Sequence, residues 1–152
     1  MDVADRVVLI TGASSGVGAA LAIKLAEMGA RVVVNYSRSA EAAEAVVAKA
    51  EEAGGRALAV QADVSEEADC KRLVETTVEH FGQLDVLVNN AGTTTFVPHD
   101  QLDALTEDIW LRTLRVNLVG AFMMSREAAP HIEAAGGGEI IMTSSIASVT
   151  AN

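Results

Sequence analysis

The chain has 152 residues, half of them apolar and only 3% aromatic, which is enough for one domain with a sizeable core. It carries 21 acidic against 11 basic residues, a net charge of −10, and no basic run, which argues against a nucleic-acid surface. No apolar run approaches the roughly 18 residues of a membrane helix, and the opening residues do not form a signal peptide.

Residues 6–10 read as a short, fully buried strand, followed at once by Thr11-Gly12-Ala13-Ser14-Ser15-Gly16-Val17-Gly18. An apolar helical pattern starts at Ala19, and Gly29 is placed to close it. A strand, a glycine turn and a helix form a unit in which helix N–H groups, at the positive end of the dipole, can receive a pyrophosphate. The turn is not a phosphate loop of the Walker type, because no Lys-Ser/Thr pair follows the glycines.

A second strand spans 31–36, with Val32-Val33-Val34 as the continuous apolar run of a parallel strand. A helix is expected over 40–53 and a third strand over 56–61. Ser65 is the expected N-cap of the next helix, whose buried stripe is Leu73, Val74, Thr77, Val78 and Phe81 before Gly82 stops it. The lone cysteine, Cys70, falls in that helix as a passive residue. It excludes an internal disulfide framework and points to a reducing, cytoplasmic setting.

A fourth strand covers 84–88. Residues 93–105, with Pro98, His99 and Asp100, form the longest irregular stretch, which either covers a site or is a plain connector. Thr106 then caps a long helix whose buried side is expected at Ile109, Leu114, Leu118 and Phe122, and which Pro130 ends or kinks. Met123 and Met124 are read as core or subunit packing. After Gly136-Gly137-Gly138 comes a fifth strand, 139–143. Strands and helices alternate with short connections, so the fold class is α/β: a doubly wound, mostly parallel Rossmann-type sheet with helices on both faces, expected to be incomplete at its C-terminal side, with 1–152 as one truncated domain.

Three polar clusters carry the chemistry. Asn89-Asn90-Ala91-Gly92 follows the fourth strand, where Asn side chains can lock a loop and Ala-Gly leaves room for a flat ligand. Asn117 lies in an apolar helical stretch and, if buried, must hold a water, a backbone group or a side chain. Thr143-Ser144-Ser145 ends the fifth strand, at the carboxyl edge where α/β ligands bind. No metal site is expected.

Together these motifs resemble the short-chain dehydrogenase/reductase family. Residues 11–18 match its T-G-x-x-x-G-x-G turn, residues 89–92 its N-N-A-G signature, Asn117 its helix asparagine and Ser145 its catalytic serine. The resemblance implies hydride transfer between a nicotinamide and a carbonyl or alcohol carbon of a small molecule, with Ser145 bonding the substrate oxygen and Asn117 holding a relay water. It also implies cofactor contacts at Gly12, Ser14, Ser15, Gly16, Val17 and Gly18, at Tyr36, Ser37 and Arg38, at Asp63 and Val64 for the adenine end, and at Asn90, Ala91 and Gly92. The family's tyrosine base and its lysine partner, Tyr-x-x-x-Lys, fall beyond Asn152, and Tyr36 cannot replace that tyrosine. The expectation is therefore a cofactor-binding portion that is inactive alone, with a homotetramer or homodimer for the full form and the 106–130 helix in its interface.

Tyr36-Ser37-Arg38 ends the second strand without the acid that would repel a 2′-phosphate. Arg38 could pair with such a phosphate, which favours NADP over NAD while leaving NAD open. The sequence resembles both 3-oxoacyl-carrier-protein reductases and glucose dehydrogenases of the family. Two other readings stand beside this one: a catalytically incompetent NAD(P)-binding fragment, and a Rossmann-type nucleotide-dependent transferase.

Overall fold

The structure, a computed structural model, describes residues 3–145. Five strands form one parallel sheet in the order β3-β2-β1-β4-β5: β1 Val7–Ile10, β2 Arg31–Tyr36, β3 Arg56–Gln61, β4 Val86–Asn89 and β5 Glu139–Met142. The strand order reverses between β1 and β4, and the loops beyond their carboxyl ends part there. The helices are α1 Gly16–Glu27, α2 Ala40–Glu52, α3 Glu67–Phe81, α4 Glu107–Leu114 and α5 Ala121–Ala134.

The continuous apolar runs follow from burial on both faces. In β1, Val7 and Leu9 join Val33, Cys70, Leu73, Leu87 and Met124 on the α3/α5 side. Val8 and Ile10 join Val32, Val34, Ala22, Ala26, Ala43 and Val46 on the α1/α2 side. Cys70 is fully buried, donates its S–H to the Val64 carbonyl at 3.3 Å, and has its thiol pushed up to about 11 by burial.

Several boundaries differ from the sequence expectation. The first helix begins at Gly16 rather than Ala19, so Gly16, Val17 and Gly18 belong to its first turn. Ser65 does not cap α3; its hydroxyl and N–H both donate to Asp63, and Glu66 holds the cap position. Thr106 does cap α4, accepting from Ile109 N–H at 3.5 Å. Pro130 does not end its helix, which runs on to Ala134.

The largest difference is the face of the long helix. Leu114, Leu118 and Phe122 are 46–63% exposed, and Ile109 is only half-buried, whereas Val116, Gly120, Met123, Met124, Ala128 and Ile132 face the sheet. The helix carries two apolar stripes. The stripe with small residues wins because it permits close approach: a Cβ on Gly120 would lie 2.7 Å from the Val64 carbonyl oxygen. A π-helical turn at Arg115–Gly120 joins α4 to α5, and its wider turn also breaks the regular period on which the expected stripe depends.

Candidate functional site

Loops from β1, β2, β3 and β4 surround a cleft of about 370 Å³ at the carboxyl edge of the sheet. Side-chain amides and one hydroxyl hold these loops. Thr11 Oγ1 accepts from the N–H groups of Asn90 and Ala91, both at 3.0 Å, and Asn90 Nδ2 donates back to the Thr11 and Gly12 carbonyls at 3.0 and 3.2 Å. Asn35, 2% exposed, accepts from Gly12 N–H at 3.1 Å and donates to the Val60 and Ala62 carbonyls at 3.2 and 3.0 Å. These two asparagines tie the ends of β1, β2, β3 and β4 into one frame. Each satisfies buried backbone groups that the sheet ladder cannot reach.

The close approach of these loops needs glycine. Gly12 has φ +63°, and a Cβ there would stand 2.8 Å from Ala91 Cα. A Cβ on Gly18 would stand 2.6 Å from Asn90 Nδ2 and 2.9 Å from the Gly12 carbonyl oxygen. Gly18 therefore lets helix α1 sit against the turn, a packing role.

On the opposite wall, Asp63 Oδ1 accepts from Ser65 N–H at 3.0 Å and from Ser65 Oγ at 2.6 Å, and its Oδ2 meets Arg112 at 3.3 Å. Burial works against ionisation of Asp63, but the two Ser65 hydrogen bonds and the Arg112 guanidinium outweigh it. The carboxyl stays below its ordinary range. Arg115 Nε adds a hydrogen bond to the Ser65 carbonyl at 3.0 Å.

Of the residues picked from the sequence, Gly12, Ser14, Ser15, Tyr36, Ser37, Arg38, Asp63, Val64, Asn90, Ala91 and Gly92 line the cleft. Gly16, Val17 and Gly18 do not; they form the first turn of α1, just behind the serines. Asn117 is exposed rather than buried. Its Oδ1 accepts from Thr93 N–H at 2.8 Å and its Nδ2 donates to the Thr93 carbonyl at 2.9 Å, so its amide locks the loop after β4. Ser145 follows β5, beside the end of β4, and is exposed.

Asn35, Thr93 and Arg112 also line the cleft, and the sequence reading does not single them out. A signal exists for Asn35: a polar residue within a continuous buried strand must find partners. Arg112 gives none, since a helix arginine usually faces water. Among the described residues there is no cluster of His, Cys, Asp and Glu able to hold a metal ion, and no helix long and apolar enough to cross a membrane.

A parallel sheet with its cleft at the strand-order switch, a glycine turn leading into a helix and amide-locked loops define a Rossmann-type domain. The family model for short chain dehydrogenase matches residues 6–152, and the chain belongs to that family. The protein named ketoacyl reductase 2 of the granaticin polyketide synthase, from Streptomyces violaceoruber, is 49% identical over 141 residues, covering 93% of this chain and 55% of that protein. Versicolorin reductase 1 of Aspergillus parasiticus is 46% identical over 140 residues, covering 92% of this chain and 52% of that protein. A short-chain dehydrogenase/reductase structure from Serratia marcescens matches with a TM-score of 0.89 and 38% identity, covering 99% of this chain and 60% of that one. The chain spans about half the length of the curated relatives it matches.

Proposed function

We propose that this chain forms the cofactor-binding part of an NAD(P)(H)-dependent oxidoreductase acting on a carbonyl or alcohol substrate, with NADP(H) preferred. The observation that carries the reading is the composition of the cleft. It combines the serines ahead of helix α1, a guanidinium at the end of β2 and the locked Asn90-Ala91-Gly92 wall. The residues fit a dinucleotide. The first turn of α1 contains no acid, so nothing opposes an anion at its positive end, and open space surrounds Gly16. Arg38 lines the cleft just after β2 and supports a counter-charge for an adenine ribose 2′-phosphate, and no carboxylate stands at the end of β2 to repel one.

The bound cofactor supplies the hydride donor or acceptor carbon. Binding and orientation are the work of this chain's side chains and backbone. Ser14, Ser15 and the α1 N–H groups receive the pyrophosphate, and Asp63 and Val64 receive the adenine end. Asn117 keeps the loop carrying Gly92 and Thr93 in place through the Thr93 backbone. Ser145 donates a hydrogen bond to the substrate oxygen and orients the carbonyl. The sequence contains no Tyr-x-x-x-Lys, and we assign no general acid/base among these residues. Both relatives carry the name of a reductase, which supports the carbonyl-reducing direction.

The test is calorimetric titration of the 152-residue chain with NADPH and NADH, alongside a carbonyl turnover assay. Saturable binding, tighter for NADPH, without turnover is expected. Failure to bind either nucleotide overturns the reading.

The exposed stripe of Trp110, Leu111, Leu114, Leu118 and Phe122 supports a second part of the proposal, a homo-oligomer built on the α4–α5 face. Light scattering of the L118E variant should show a smaller species than the parent protein.

A further inference from the structure

The junction of α4 and the π turn grips residues 63–65 at three points. Arg112 meets Asp63 Oδ2, Arg115 meets the Ser65 carbonyl, and Gly120 lets the helix backbone approach the Val64 carbonyl. Only the first of these touches a side chain that faces the cleft and can accept from a ligand. Asp63 Oδ1 already accepts twice from Ser65, which uses both of its lone pairs. Oδ2 accepts from Arg112 and keeps one acceptor position. Without the guanidinium, the Ser65 bonds would hold one oxygen while the plane of the carboxylate turned about it. With the guanidinium, both oxygens are tied and the plane is set.

We propose that Arg112 is a positioning residue for nucleobase selection: it fixes the Asp63 carboxylate so that Oδ2 accepts from the exocyclic amino group of a purine, favouring adenine over hypoxanthine. The proposal rests on the nucleotide-cleft reading above. An amino group offers the N–H that Oδ2 needs. The oxo group of hypoxanthine, at the same place, would set lone pair against lone pair, and that clash discriminates only while the carboxylate stays in position. Arg112 acts through Asp63 and does not itself read the base.

The experiment compares Kd for NADPH and for its hypoxanthine analogue, deamino-NADPH, in the parent protein and in the R112M, R112K and R115M variants. Each variant is first checked for an unchanged circular-dichroism spectrum. The parent is expected to prefer NADPH. R112M should weaken NADPH by roughly two- to tenfold, the worth of one ordinary hydrogen bond, and leave deamino-NADPH nearly unchanged. R112K keeps a cation beside Asp63 and should retain most of the preference. R115M loosens the loop without touching the carboxylate, so it should weaken both ligands equally.

An R112M protein with the parental preference would overturn the proposal. So would equal weakening of both ligands in R112M, which would make Arg112 a direct contact to a part of the cofactor the two share. If the parent binds neither nucleotide, the cleft reading itself fails, and the selection proposal falls with it.

Discussion

The two ends of the sheet are closed by different chemistry. At the amino end a carboxylate does the work. Asp85, 1% exposed, accepts from Arg6 at 2.9 Å, from Val7 N–H at 2.7 Å and from Gln83 Nε2 at 2.7 Å, while its own backbone pairs with Val7 and Glu139. At the carboxyl end the frame is made of the neutral amides of Asn35, Asn90 and Asn117. A carboxylate is the stronger acceptor, but its charge would oppose a phosphate. An amide both donates and accepts with no net charge. Among the described residues, the one acid lining the cleft, Asp63, is met by a guanidinium. The closed end holds the fold with charge, and the open end is held by groups that leave an anion welcome.

The largest effect should come from breaking the open end. Asn35→Leu removes the partner of Gly12 N–H and of the Val60 and Ala62 carbonyls, and should cost about 3 kcal/mol, since each buried orphan costs roughly 1–3 kcal/mol and some relaxation is expected. Urea unfolding measures the loss, and nucleotide affinity should fall with it. An unchanged midpoint would mean that Asn35 does not hold the frame.

Breaking the closed end should separate stability from binding. Asp85→Asn should cost about 1–3 kcal/mol, toward the lower end because Arg6 is partly exposed, with nucleotide affinity unaltered. Burial works against the Asp85 charge, but the Val7, Gln83 and Arg6 hydrogen bonds prevail and lower its pKa from the ordinary 3.8. A lowered carboxyl stabilises the fold above its unfolded value, and this contribution is lost as pH falls through the folded value. The stability gap between parent and variant should therefore be constant near neutral pH and close below about pH 4. A gap that widens in acid would contradict the assignment.

The smallest effect sharpens the comparison at the cleft mouth. Arg38→Ala should weaken NADPH by about tenfold or somewhat more, the worth of a charge-assisted hydrogen bond at an exposed site, and leave NADH nearly untouched. Equal losses for both would remove the basis for an NADP preference.

The strands and the glycine turn are legible because parallel strands buried on both faces must be apolar throughout, and Val7–Ile10 and Val32–Val34 are. The side-chain frame is less legible. Asn90 follows a recognisable motif, but Asn35 sits beside a valine run and matters only because β3 passes within reach of its amide. Asn117 is the converse case: its polar character is plain, yet its burial depends on which stripe of the long helix faces the sheet. That choice turns on Gly120 and the π turn, and both depend on where the Val64 carbonyl lies.

Cys70 gives the molecule an internal gauge. With its thiol pushed up to about 11 by burial and no exposed surface, it is held as the unreactive thiol inside the core. Labelling requires α3 to part from the Val64 carbonyl, so its rate reports the opening equilibrium of that helix. Val64 also lines the cleft, and a ligand seated against it should slow the labelling. One native thiol then reports, with no engineered label site, how readily the wall of the site opens.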